Sequence, residues 1–378
     1  MTVWIINPFD NLPTEGYRPQ RYWMMAEAFA AAGHDVVLWT QDWSHAKKSR
    51  REIHPSGASF ALRFVHVPDY GRNICPERIW SHWRFARNWK AQADRTESKP
   101  HLVVVSSPPL FIGREVRRFC SRIGAKYIVD VMDAWPETFE RVAPRWTLSW
   151  MRSIAGGNYR AANGISAVTK SYIELAKGYG AKCPVHLCYH GIRLPQQLPE
   201  RSKRDEALPV KLVYAGNMSL SYDLATVVEA VKSDEGLELD LAGSGPDEPS
   251  LRARAADCGR IRFHGYLGEA ELRNLLAKAD VGVVPMFDES CVGVPYKLAD
   301  YVAAGLPVAS SLHGETAELL AAHDAGVTYQ AGDAVAFCKA ARLAAAFVRS
   351  STSLARIFDA DRLYGEYAEF AKRIAGLT

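Results

Sequence analysis

The sequence predicts an α/β protein built from two doubly wound parallel-sheet domains. Apolar runs alternate with helical patterns along the chain, and one polar, proline-containing stretch interrupts this alternation near the middle. The chain has 378 residues, which is more than one ordinary hydrophobic core accommodates. Strands that alternate with helices predict parallel sheets with both faces covered.

The first half begins with VWIIN, a short apolar run bounded by Pro8 and Asn11. The helical pattern QRYWMMAEAFAAAGH follows, and Gly33 marks its end. Later apolar runs predict the remaining strands of this half: DVVLWT, LRFVHV, HLVVVSS, YIVDVMD, GISAVT and VHLCYHG. We assign residues 1–193 to an N-terminal Rossmann-like domain.

Residues 194–209, LPQQLPERSKRDEALP, contain three prolines and many charges, and we interpret them as an interdomain linker. The alternation then restarts over residues 210–355 with KLVYAGN, LELDLAGSG, RIRFHGY, ADVGVVP, LPVASS and AGVTYQ. Residues 356–378 predict a closing amphipathic helix that can pack back on the N-terminal domain. Two such domains place a cleft between the carboxyl ends of their strands, where ligands bind.

Composition limits the class of protein. Apolar residues make up 48% and charged residues 23%, as in ordinary globular proteins. No apolar run reaches the roughly 20 residues of a bilayer span, and the first residues do not resemble a signal peptide. Seven cysteines are scattered without a metal or redox spacing, so we expect reduced thiols in a cytosolic protein.

Charge is distributed unevenly along the chain. Residues 1–195 contain 27 Lys and Arg against 16 Asp and Glu, whereas the remainder contains 19 against 26. Part of the basic excess lies in aromatic-rich segments at 80–95, 114–122 and 145–152. These segments are either solvated helical faces or a surface for an anionic membrane or a phosphorylated acceptor. No recognition motif supports nucleic-acid binding.

The segment VGVPYKLADYVAAGLPV predicts a helix that carries Lys297 and Asp300 near its start. Pro295 suits the first turn, whose free N–H groups attract phosphate. Lys297 adds a positive charge there, so a diphosphate can be held without a metal, and Asp300 can accept the hydroxyls of a ribose. The alternative is a surface ion pair between these two residues. We favour the ligand-binding interpretation, since the pair lies between an apolar strand and a Gly-Pro stop.

The strand ends of the second half carry glycines and small polar residues: Gly216-Asn217, Gly243-Ser244-Gly245 and Gly265. Glycine at these positions lets a ligand approach the backbone closely. The alternative is an ordinary structural role, because strand-to-helix turns use glycine in any case.

The ordered set LVYAGN, LAGSGP, IRFHGYL, ADVGVVP and PYKLADYVAAGLPV resembles the nucleotide-sugar domain of retaining glycosyltransferases of family 4, which have the GT-B fold. In the first half, AGH, SSPPLF, DVMDAWPE and AVTKSY are similar as well, so the resemblance covers nearly the whole chain. It is strongest to the branch that makes bacterial lipopolysaccharide, capsule and exopolysaccharide. The resemblance implies two Rossmann-like domains facing across a cleft. It also implies metal-independent transfer from a nucleoside diphosphate sugar to a glycan or polyprenyl-linked acceptor.

Residue by residue, the resemblance places Asp300 where the family has a ribose-binding glutamate. It places Lys297 and the Gly216-Asn217 turn at the donor diphosphate. The turn with Tyr266 and Leu267 would line the base, with the Gly243–Gly245 turn nearby.

The chain also departs from the family pattern. The position of a further family glutamate, near the donor sugar, is occupied by Val292, and Glu289 or Asp288 could substitute for it. The basic residues usual after the first strand of this domain are missing from GNMSLSYDL. Lys297 must then supply more of the positive charge at the diphosphate, or Arg18 or Arg21 must reach the diphosphate from across the cleft.

In the first half, the loop NPFDNLPTEGYRPQR is expected to close over the diphosphate through Gly16, and its arginines to bind phosphate or an anionic acceptor. The alternative for the arginines is a solvated loop. Asp133 is expected to orient or deprotonate the acceptor hydroxyl, with a helix N-cap as the alternative. His190 is a further catalytic candidate, with a structural role as the alternative.

Retention of configuration follows from the resemblance. No nucleophilic residue is evident, so attack from the leaving-group face is preferred. Two other functions fit the same sequence: a GT-B sugar-nucleotide epimerase, and a catalytically silent nucleotide-sugar-binding subunit. A dinucleotide-dependent dehydrogenase is disfavoured because no strand is followed by G-x-G-x-x-G.

Overall fold

The structure, a computed structural model, describes residues 1–52, 57–72, 75–140, 143–199, 204–288, 290–347 and 352–377. The chain divides into two compact units. The first unit contains residues 1–191 and 360–378, and the second unit contains residues 192–359. Each unit is a parallel sheet with helices between its strands, so the predicted pair of α/β domains is confirmed.

The first unit has a seven-stranded parallel sheet in the order β5-β2-β1-β6-β7-β8-β9. Its strands are β1 Thr2–Ile6, β2 Asp35–Gln41, β5 Ala61–Val65, β6 Leu102–Ser107, β7 Lys126–Val131, β8 Gly164–Ala167 and β9 Val185–Leu187. A short antiparallel hairpin, β3 Trp43–Ser44 and β4 Ser49–Arg50, follows β2. All the apolar runs identified in the first half are strands.

The helices of this unit are α1 Arg21–Ala31, α2 Pro76–Arg95, α3 Leu110–Ile123, α4 Arg145–Ala161, α5 Lys170–Gly178 and α13 Ala360–Ala375. Helix α13 is the last helix of the chain, and it packs against α1 and β7. Its buried aromatic residues supply the contact: Phe29 of α1 lies 6.2 Å from Tyr367 between ring centroids.

The central strands of the first sheet are apolar along their length because helices cover both of their faces. Every residue of β6 is buried. On one side of the sheet, four large aromatic rings form the middle of the core. They are Trp4, Trp39, Trp89 and Phe119, with ring centroids 5.1 to 6.4 Å apart.

The second unit has a six-stranded parallel sheet in the order β12-β11-β10-β13-β14-β15. Its strands are β10 Val210–Ala215, β11 Leu237–Ala242, β12 Ile261–Gly265, β13 Val281–Val284, β14 Val308–Ser310 and β15 Gly326–Thr328. Its helices are α6 Leu224–Ser233, α7 Glu248–Ala255, α8 Glu269–Lys278, α9 Tyr296–Ala303, α10 Glu315–Ala322, α11 Ala334–Ala345 and α12 Thr352–Ile357.

The strand order reverses once in each sheet, between β1 and β6 in the first unit and between β10 and β13 in the second. The loops at the carboxyl ends of these strands diverge at the reversal, and such crevices are where open α/β sheets bind ligands. The residues singled out from the sequence follow these strands, so the topology brings several of them to one edge of each sheet.

Residues 194–199 and 204–209 contain neither helix nor strand, and they lie in the second unit. The chain returns to the first unit at residue 360, where α13 begins. Among the helices of the described residues, none is both long enough and apolar enough to cross a bilayer.

Candidate functional site

Two glycine turns meet at the carboxyl edge of the second sheet. The Gly216 N–H donates to the Ala242 carbonyl at 2.9 Å, and the Met218 N–H donates to the Ser244 carbonyl at 2.9 Å. The Gly243 N–H in turn donates to the Gly265 carbonyl at 2.6 Å. The ends of β10, β11 and β12 are therefore joined into one continuous rim.

This close approach explains why the rim needs glycine. A Cβ atom on Gly243 would lie 2.0 Å from the Gly216 carbonyl oxygen, and one on Gly245 would lie 2.2 Å from the Met218 carbonyl oxygen. Gly243 also has a φ of 122°, which L side chains rarely adopt. The packing of one turn on the other is thus sufficient to require these two glycines.

Lys297 lies in the first turn of α9, and its side chain is directed into the rim. The residue is only 7% exposed, and its Nζ lies 3.8 Å from the centroid of the Tyr222 ring and 4.9 Å from that of Tyr214. A Cβ atom on Gly216 would lie 3.3 Å from the same nitrogen. The structure therefore brings together Lys297 and Gly216, which are far apart in sequence.

The environment of Lys297 is unusual for an ammonium group. Burial lowers its pKa to about 7, although the nearby Asp300 carboxylate acts in the opposite direction. Within the described ranges, its Nζ has no ion pair and no hydrogen bond, and two aromatic faces provide its contacts. A buried cation in this setting gains stability when an anion binds beside it.

Asp300 lies one turn further along α9 and is half-buried. Asn217 lies with Gly216 in the exposed turn after β10, and its carbonyl accepts a 2.6 Å hydrogen bond from the Tyr214 hydroxyl. The second unit thus positions Lys297, Asp300 and the Gly216-Asn217 turn on neighbouring elements of one sheet edge.

The turn after β12 presents an aromatic ring to solvent. Gly265 has a φ of 66°, Tyr266 is 70% exposed, and Leu267 is half-buried. An exposed tyrosine at the end of a strand can stack on a planar ligand group. Because the Gly243 N–H bonds to the Gly265 carbonyl, this ring belongs to the same rim as the two glycine turns.

Three tyrosines that sequence analysis did not identify support the site: Tyr214 and Tyr301, which are buried, and Tyr222, which is half-buried. The Tyr301 hydroxyl accepts a 2.8 Å hydrogen bond from the Ala215 N–H, just before the first glycine turn. Tyr214 and Tyr222 provide the faces on which Lys297 rests. Tyr214 and Tyr222 lie close in sequence to the Gly216-Asn217 turn, which could have marked them as site residues, but nothing in their spacing connects them to Lys297.

Asp133 follows β7 at the carboxyl edge of the first sheet and is half-buried. Its carboxylate accepts hydrogen bonds from the Ala134 N–H at 2.8 Å, the Thr138 hydroxyl at 3.1 Å and the Trp135 ring N–H at 3.2 Å. Burial raises its pKa, and these donors oppose the shift. The donors belong to the loop after β7, so the carboxylate is held in a defined orientation.

Arg21 occupies a different position from the one suggested by the sequence. It is fully buried, and its guanidinium donates to both carboxylate oxygens of Asp130 at 2.8 Å. It also donates to the carbonyls of Cys188 and Tyr189 at 2.9 and 2.8 Å. Burial alone would raise the pKa of Asp130, but Arg21 holds it below its usual value. Arg21 thus ties α1 to β7 and to the chain after β9.

His190 lies next to this ion pair. Burial and the positive charge of Arg21 lower its pKa to about 3, so the imidazole is neutral near pH 7. A group with so low a pKa is a weak general base at neutral pH. The structural alternative for His190 is the one that its surroundings favour.

The loop after β1 carries the remaining candidates of the first unit. Gly16 follows a short 3-10 helix, Pro13–Glu15, with a φ of 84°, and both Gly16 and Arg18 are exposed. Arg51 anchors this loop by donating to the Glu15 carboxylate at 2.6 Å and to the Asp10 carbonyl at 2.7 Å.

Of the two proposed substitutes for the family glutamate, Glu289 lies outside the described residues. Asp288 is exposed, and its carboxylate accepts a hydrogen bond from the Gln330 side chain. In the part of the chain that the structure describes, no group of three or more His, Cys, Asp and Glu side chains is arranged to hold a metal ion.

Comparison with protein families gives two matches that follow the two halves of the chain. The family described as "Glycosyltransferase Family 4" matches residues 21–195, and the family described as "Glycosyl transferases group 1" matches residues 209–345. The matched ranges divide at the segment that sequence analysis assigned to the linker.

Two curated relatives match part of the chain. The amylovoran biosynthesis glycosyltransferase AmsK of Erwinia amylovora is 28% identical over 140 residues, or 34% of each chain. The putative colanic acid biosynthesis glycosyltransferase WcaL of Salmonella typhimurium is 27% identical over 154 residues, or 38% of this chain and 37% of that protein. The matched segments thus span little more than a third of these relatives.

Solved structures match over the whole chain at low identity. Sucrose-phosphate synthase from Thermosynechococcus elongatus has a TM-score of 0.77 at 15% identity and full coverage of both chains. Anabaena HepE in complex with UDP-glucose has a TM-score of 0.68 at 11% identity, covering 99% of this chain and 100% of that one. The lipopolysaccharide outer core galactosyltransferase WaaB has a TM-score of 0.65 at 15% identity, covering 98% and 100%.

The two parallel α/β units agree with the fold of these structural neighbours, and the two family matches fall in the two halves of the chain. The chain therefore has the GT-B fold, and its residues 21–195 match glycosyltransferase family 4 while its residues 209–345 match glycosyl transferases group 1.

Proposed function

We propose that the protein is a retaining glycosyltransferase. It moves a sugar from a nucleoside diphosphate sugar, of the UDP or GDP type, to a glycan or lipid-linked acceptor during synthesis of bacterial cell-surface polysaccharide. The observation that carries this proposal is the buried Lys297 ammonium, which lies beside the Gly216 turn at the start of α9. The relatives described as amylovoran and colanic acid biosynthesis glycosyltransferases support the class of product.

In this proposal the donor diphosphate lies against the start of α9. Lys297 and the first N–H groups of the helix neutralise it, and the Gly216-Asn217 turn gives it room to approach the backbone. Asp300, one turn along, accepts the ribose hydroxyls. Tyr266 and Leu267 contact the base. HepE, which binds UDP and UDP-glucose, supports a donor of this class.

Transfer proceeds by attack of the acceptor hydroxyl oxygen on the anomeric carbon from the face that the diphosphate leaves. The bond from the anomeric carbon to the β-phosphate oxygen breaks, and the hydroxyl proton passes to the departing phosphate. Asp133 orients the hydroxyl through its rigidly held carboxylate. Lys297 and the N-terminal end of α9 stabilise the negative charge that grows on the leaving group. This arrangement needs no metal ion, so we expect transfer to persist in EDTA.

The first experiment is donor turnover with purified protein. UDP-glucose, UDP-galactose and GDP-mannose are incubated with and without acceptor glycolipid extracted from an exopolysaccharide-producing bacterium, and release of nucleotide is measured. Release that depends on acceptor, with an α-linked product from an α-linked donor by NMR, supports the proposal. Interconversion of the donor sugar without acceptor would instead identify an epimerase. Binding of UDP or GDP without turnover of any donor would identify a silent subunit.

We also propose that the protein acts at the cytosolic face of the membrane. Four exposed apolar side chains lie near the starts of two helices that both pack against α3: Ile79 and Trp80 of α2, and Trp146 and Trp150 of α4, which are 51 to 76% exposed. Helices that follow parallel strands begin at the carboxyl edge of the sheet, where the acceptor would bind. Tryptophan and arginine in such a patch suit an anionic bilayer surface.

Vesicle sedimentation tests this surface. The protein should bind vesicles containing anionic phosphatidylglycerol more strongly than vesicles of phosphatidylcholine alone. Trp146→Ala combined with Trp150→Ala should weaken that binding by about tenfold. Leu220→Ala is a matched control, because Leu220 is 78% exposed but lies in the second unit. Equal binding by the double variant and the control would rule out this surface.

A further inference from the structure

The first unit contains a cluster of cations and aromatic rings that the donor site does not use. We name it the cationic aromatic cluster; its members are Phe9, His45, Lys48, Tyr70, Arg78, His82 and Trp135. The Arg78 guanidinium lies 5.4 Å from the centroid of the Phe9 ring and 5.6 Å from that of Trp135. The Lys48 ammonium lies 5.0 Å from the Tyr70 ring.

The cluster lies at the ligand-binding edge of the first sheet. Phe9 follows β1, His45 and Lys48 lie in the hairpin after β2, Tyr70 follows β5, and Trp135 follows β7. Helix α2 contributes the remaining two members, Arg78 and His82, from its first two turns. Residues from four strand ends and one helix thus converge although they are scattered over the first 135 positions.

The cluster has a buried part and a half-buried part. Tyr70, His82 and Trp135 are buried, at 3, 2 and 8% exposure. The other four members are half-buried: Phe9, His45, Lys48 and Arg78. The two cations are therefore closer to solvent than the buried rings. The half-buried Phe9 ring, which can pack on a sugar ring, therefore lies beside cations that can bind anionic oxygens.

The two charged members of the cluster, Lys48 and Arg78, are both cations. Burial and the Arg78 charge lower the pKa of Lys48 to about 8 and the pKa of His45 to about 3. Burial and the same guanidinium also hold the pKa of His82 well below its usual value. Both imidazoles are therefore neutral near pH 7, and they can donate or accept hydrogen bonds without adding repulsion.

The cluster also contacts Asp133, which is proposed to orient the acceptor hydroxyl. The Trp135 ring N–H donates to the Asp133 carboxylate at 3.2 Å, while Arg78 lies over the same ring. Trp135 thus connects Arg78 to the side chain proposed to orient the acceptor hydroxyl.

We propose that the cationic aromatic cluster binds an anionic group of the acceptor saccharide, a uronate carboxylate or a sugar phosphate, so that the preferred acceptor is an acidic glycan. Arg78 and Lys48 bind the anionic oxygens, and Phe9 packs against the sugar ring. This inference rests on the proposed function, since it specifies the acceptor of the same reaction. It does not depend on which donor is used.

The test compares three small ligands on the full chain. Binding of glucose, glucuronate and glucose 6-phosphate is measured by ligand-observed NMR titration. We expect one or both anionic sugars to bind about tenfold more tightly than glucose, as a charge-assisted hydrogen bond would provide. A preference for glucuronate alone identifies a uronate, and a preference for glucose 6-phosphate alone identifies a phosphate. Equal binding of all three sugars by the wild-type protein would overturn the proposal.

Two variants test whether the preference for anionic sugars depends on Arg78. Arg78→Gln should remove it, whereas Arg87→Gln should retain it, because Arg87 lies on the same helix, is exposed and stacks over a different ring, that of Trp83 at 5.0 Å. Lys48→Gln carries the same test if the Arg78 variant does not fold. An anionic preference that survives in both Arg78→Gln and Lys48→Gln would also overturn the proposal.

UDP and GDP binding by calorimetry on the same samples separates the two levels of inference. If the wild-type protein binds a nucleotide but treats the three sugars alike, only the acidic-acceptor proposal fails. If neither nucleotide binds, the proposed function itself fails.

Discussion

The ammonium nitrogen of Lys297 lies 3.8 Å from the centroid of the Tyr222 ring, in the interior of the second unit. Burial holds the pKa of this lysine at about 7, so near neutral pH the ligand-free protein carries a cation that is close to losing its proton. A ring face compensates only part of the lost hydration of an ammonium group. The ligand-free site therefore contains a poorly solvated positive charge that a bound diphosphate would stabilise.

Replacing Lys297 by Met should separate binding from stability. The variant removes a buried charge but keeps an unbranched apolar side chain between Tyr214 and Tyr222. We expect UDP or GDP affinity to fall by about 100-fold, while the free energy of unfolding of the ligand-free protein rises by about 1 kcal/mol or more. Calorimetry and urea unfolding measure the two quantities. Loss of both together would contradict the diphosphate role.

The pH dependence of stability has a defined sign. The folded protein holds the Lys297 pKa at about 7, below the usual 10.5, so the unfolded chain binds more protons at this position between those values. Its contribution to the unfolding free energy therefore rises with pH in this window, by about 1.4 kcal/mol per unit. In urea unfolding between pH 7 and 9, the stability advantage of Lys297→Met should shrink as pH rises. A constant difference between the two proteins would mean that Lys297 does not titrate there.

Nucleotide binding should have the opposite pH dependence. Above pH 7 the free protein loses the Lys297 proton, whereas a bound diphosphate favours the charged form. We expect the dissociation constant for UDP to increase about tenfold or more between pH 7 and pH 9, where UDP itself is already ionised. The Lys297→Met protein serves as the control and should show a nearly flat profile. Parallel profiles for the two proteins would assign the pH dependence to another group.

Tyr266→Ala should weaken binding of the nucleotide base and leave binding of the phosphates unchanged. Because Tyr266 is 70% exposed, its removal should leave the thermal unfolding midpoint unchanged. Loss of stacking on the base should weaken UDP binding by about tenfold, with pyrophosphate binding unaltered. Lys297→Met should weaken both ligands. A Tyr266→Ala protein that loses pyrophosphate affinity equally would place the ring at the phosphates.

Gly243→Ala tests the packing of the rim. The new Cβ would meet the Gly216 carbonyl oxygen at 2.0 Å, from a backbone conformation that alanine rarely adopts. We expect destabilisation of about 3 kcal/mol by urea unfolding, together with weaker nucleotide binding. Gly259→Ala is the control, because nothing lies within 4 Å of its Cβ position and its φ is not positive, so its stability should change by no more than about 0.5 kcal/mol. Similar stabilities for the two variants would show that the rim relaxes freely.

Arg21→Met should destabilise the first unit by about 3 to 5 kcal/mol, because it leaves the Asp130 carboxylate buried without its partner. Adding Asp130→Asn should recover much of that loss. Nucleotide affinity of the folded double variant should match that of the wild-type protein. A large selective loss of affinity, with stability retained, would restore the phosphate-binding role suggested by the sequence.

Much of the fold follows from local patterns. The alternation of apolar runs with helical periods predicts two parallel α/β domains, and each of those runs is a strand. The glycines at the ends of β10 and β11 and the position of Lys297 in the first turn of its helix are equally local. These features depend on residues close together in sequence, so they can be recognised without knowing how distant segments meet.

The pairing of distant residues could not be recognised in the same way. Sequence analysis expected Arg21 at a phosphate, but its guanidinium is buried and pairs with the carboxylate of Asp130 in β7. The tyrosines under Lys297 and the cluster around Arg78 were missed for the same reason. Lys297 is far in sequence from its two tyrosines, and the cluster around Arg78 combines several strand ends with a helix, so no short spacing relates the members.

The amino-acid sequence by itself determined the two parallel sheets and the position of a lysine in the first turn of α9, because side-chain periodicity and turn chemistry act over a few residues. Only the tertiary structure decided which rings lie beneath that lysine and which arginine is used internally. The order of strands in a sheet sets which loops become neighbours at its carboxyl edge, and that order is a property of the folded chain as a whole.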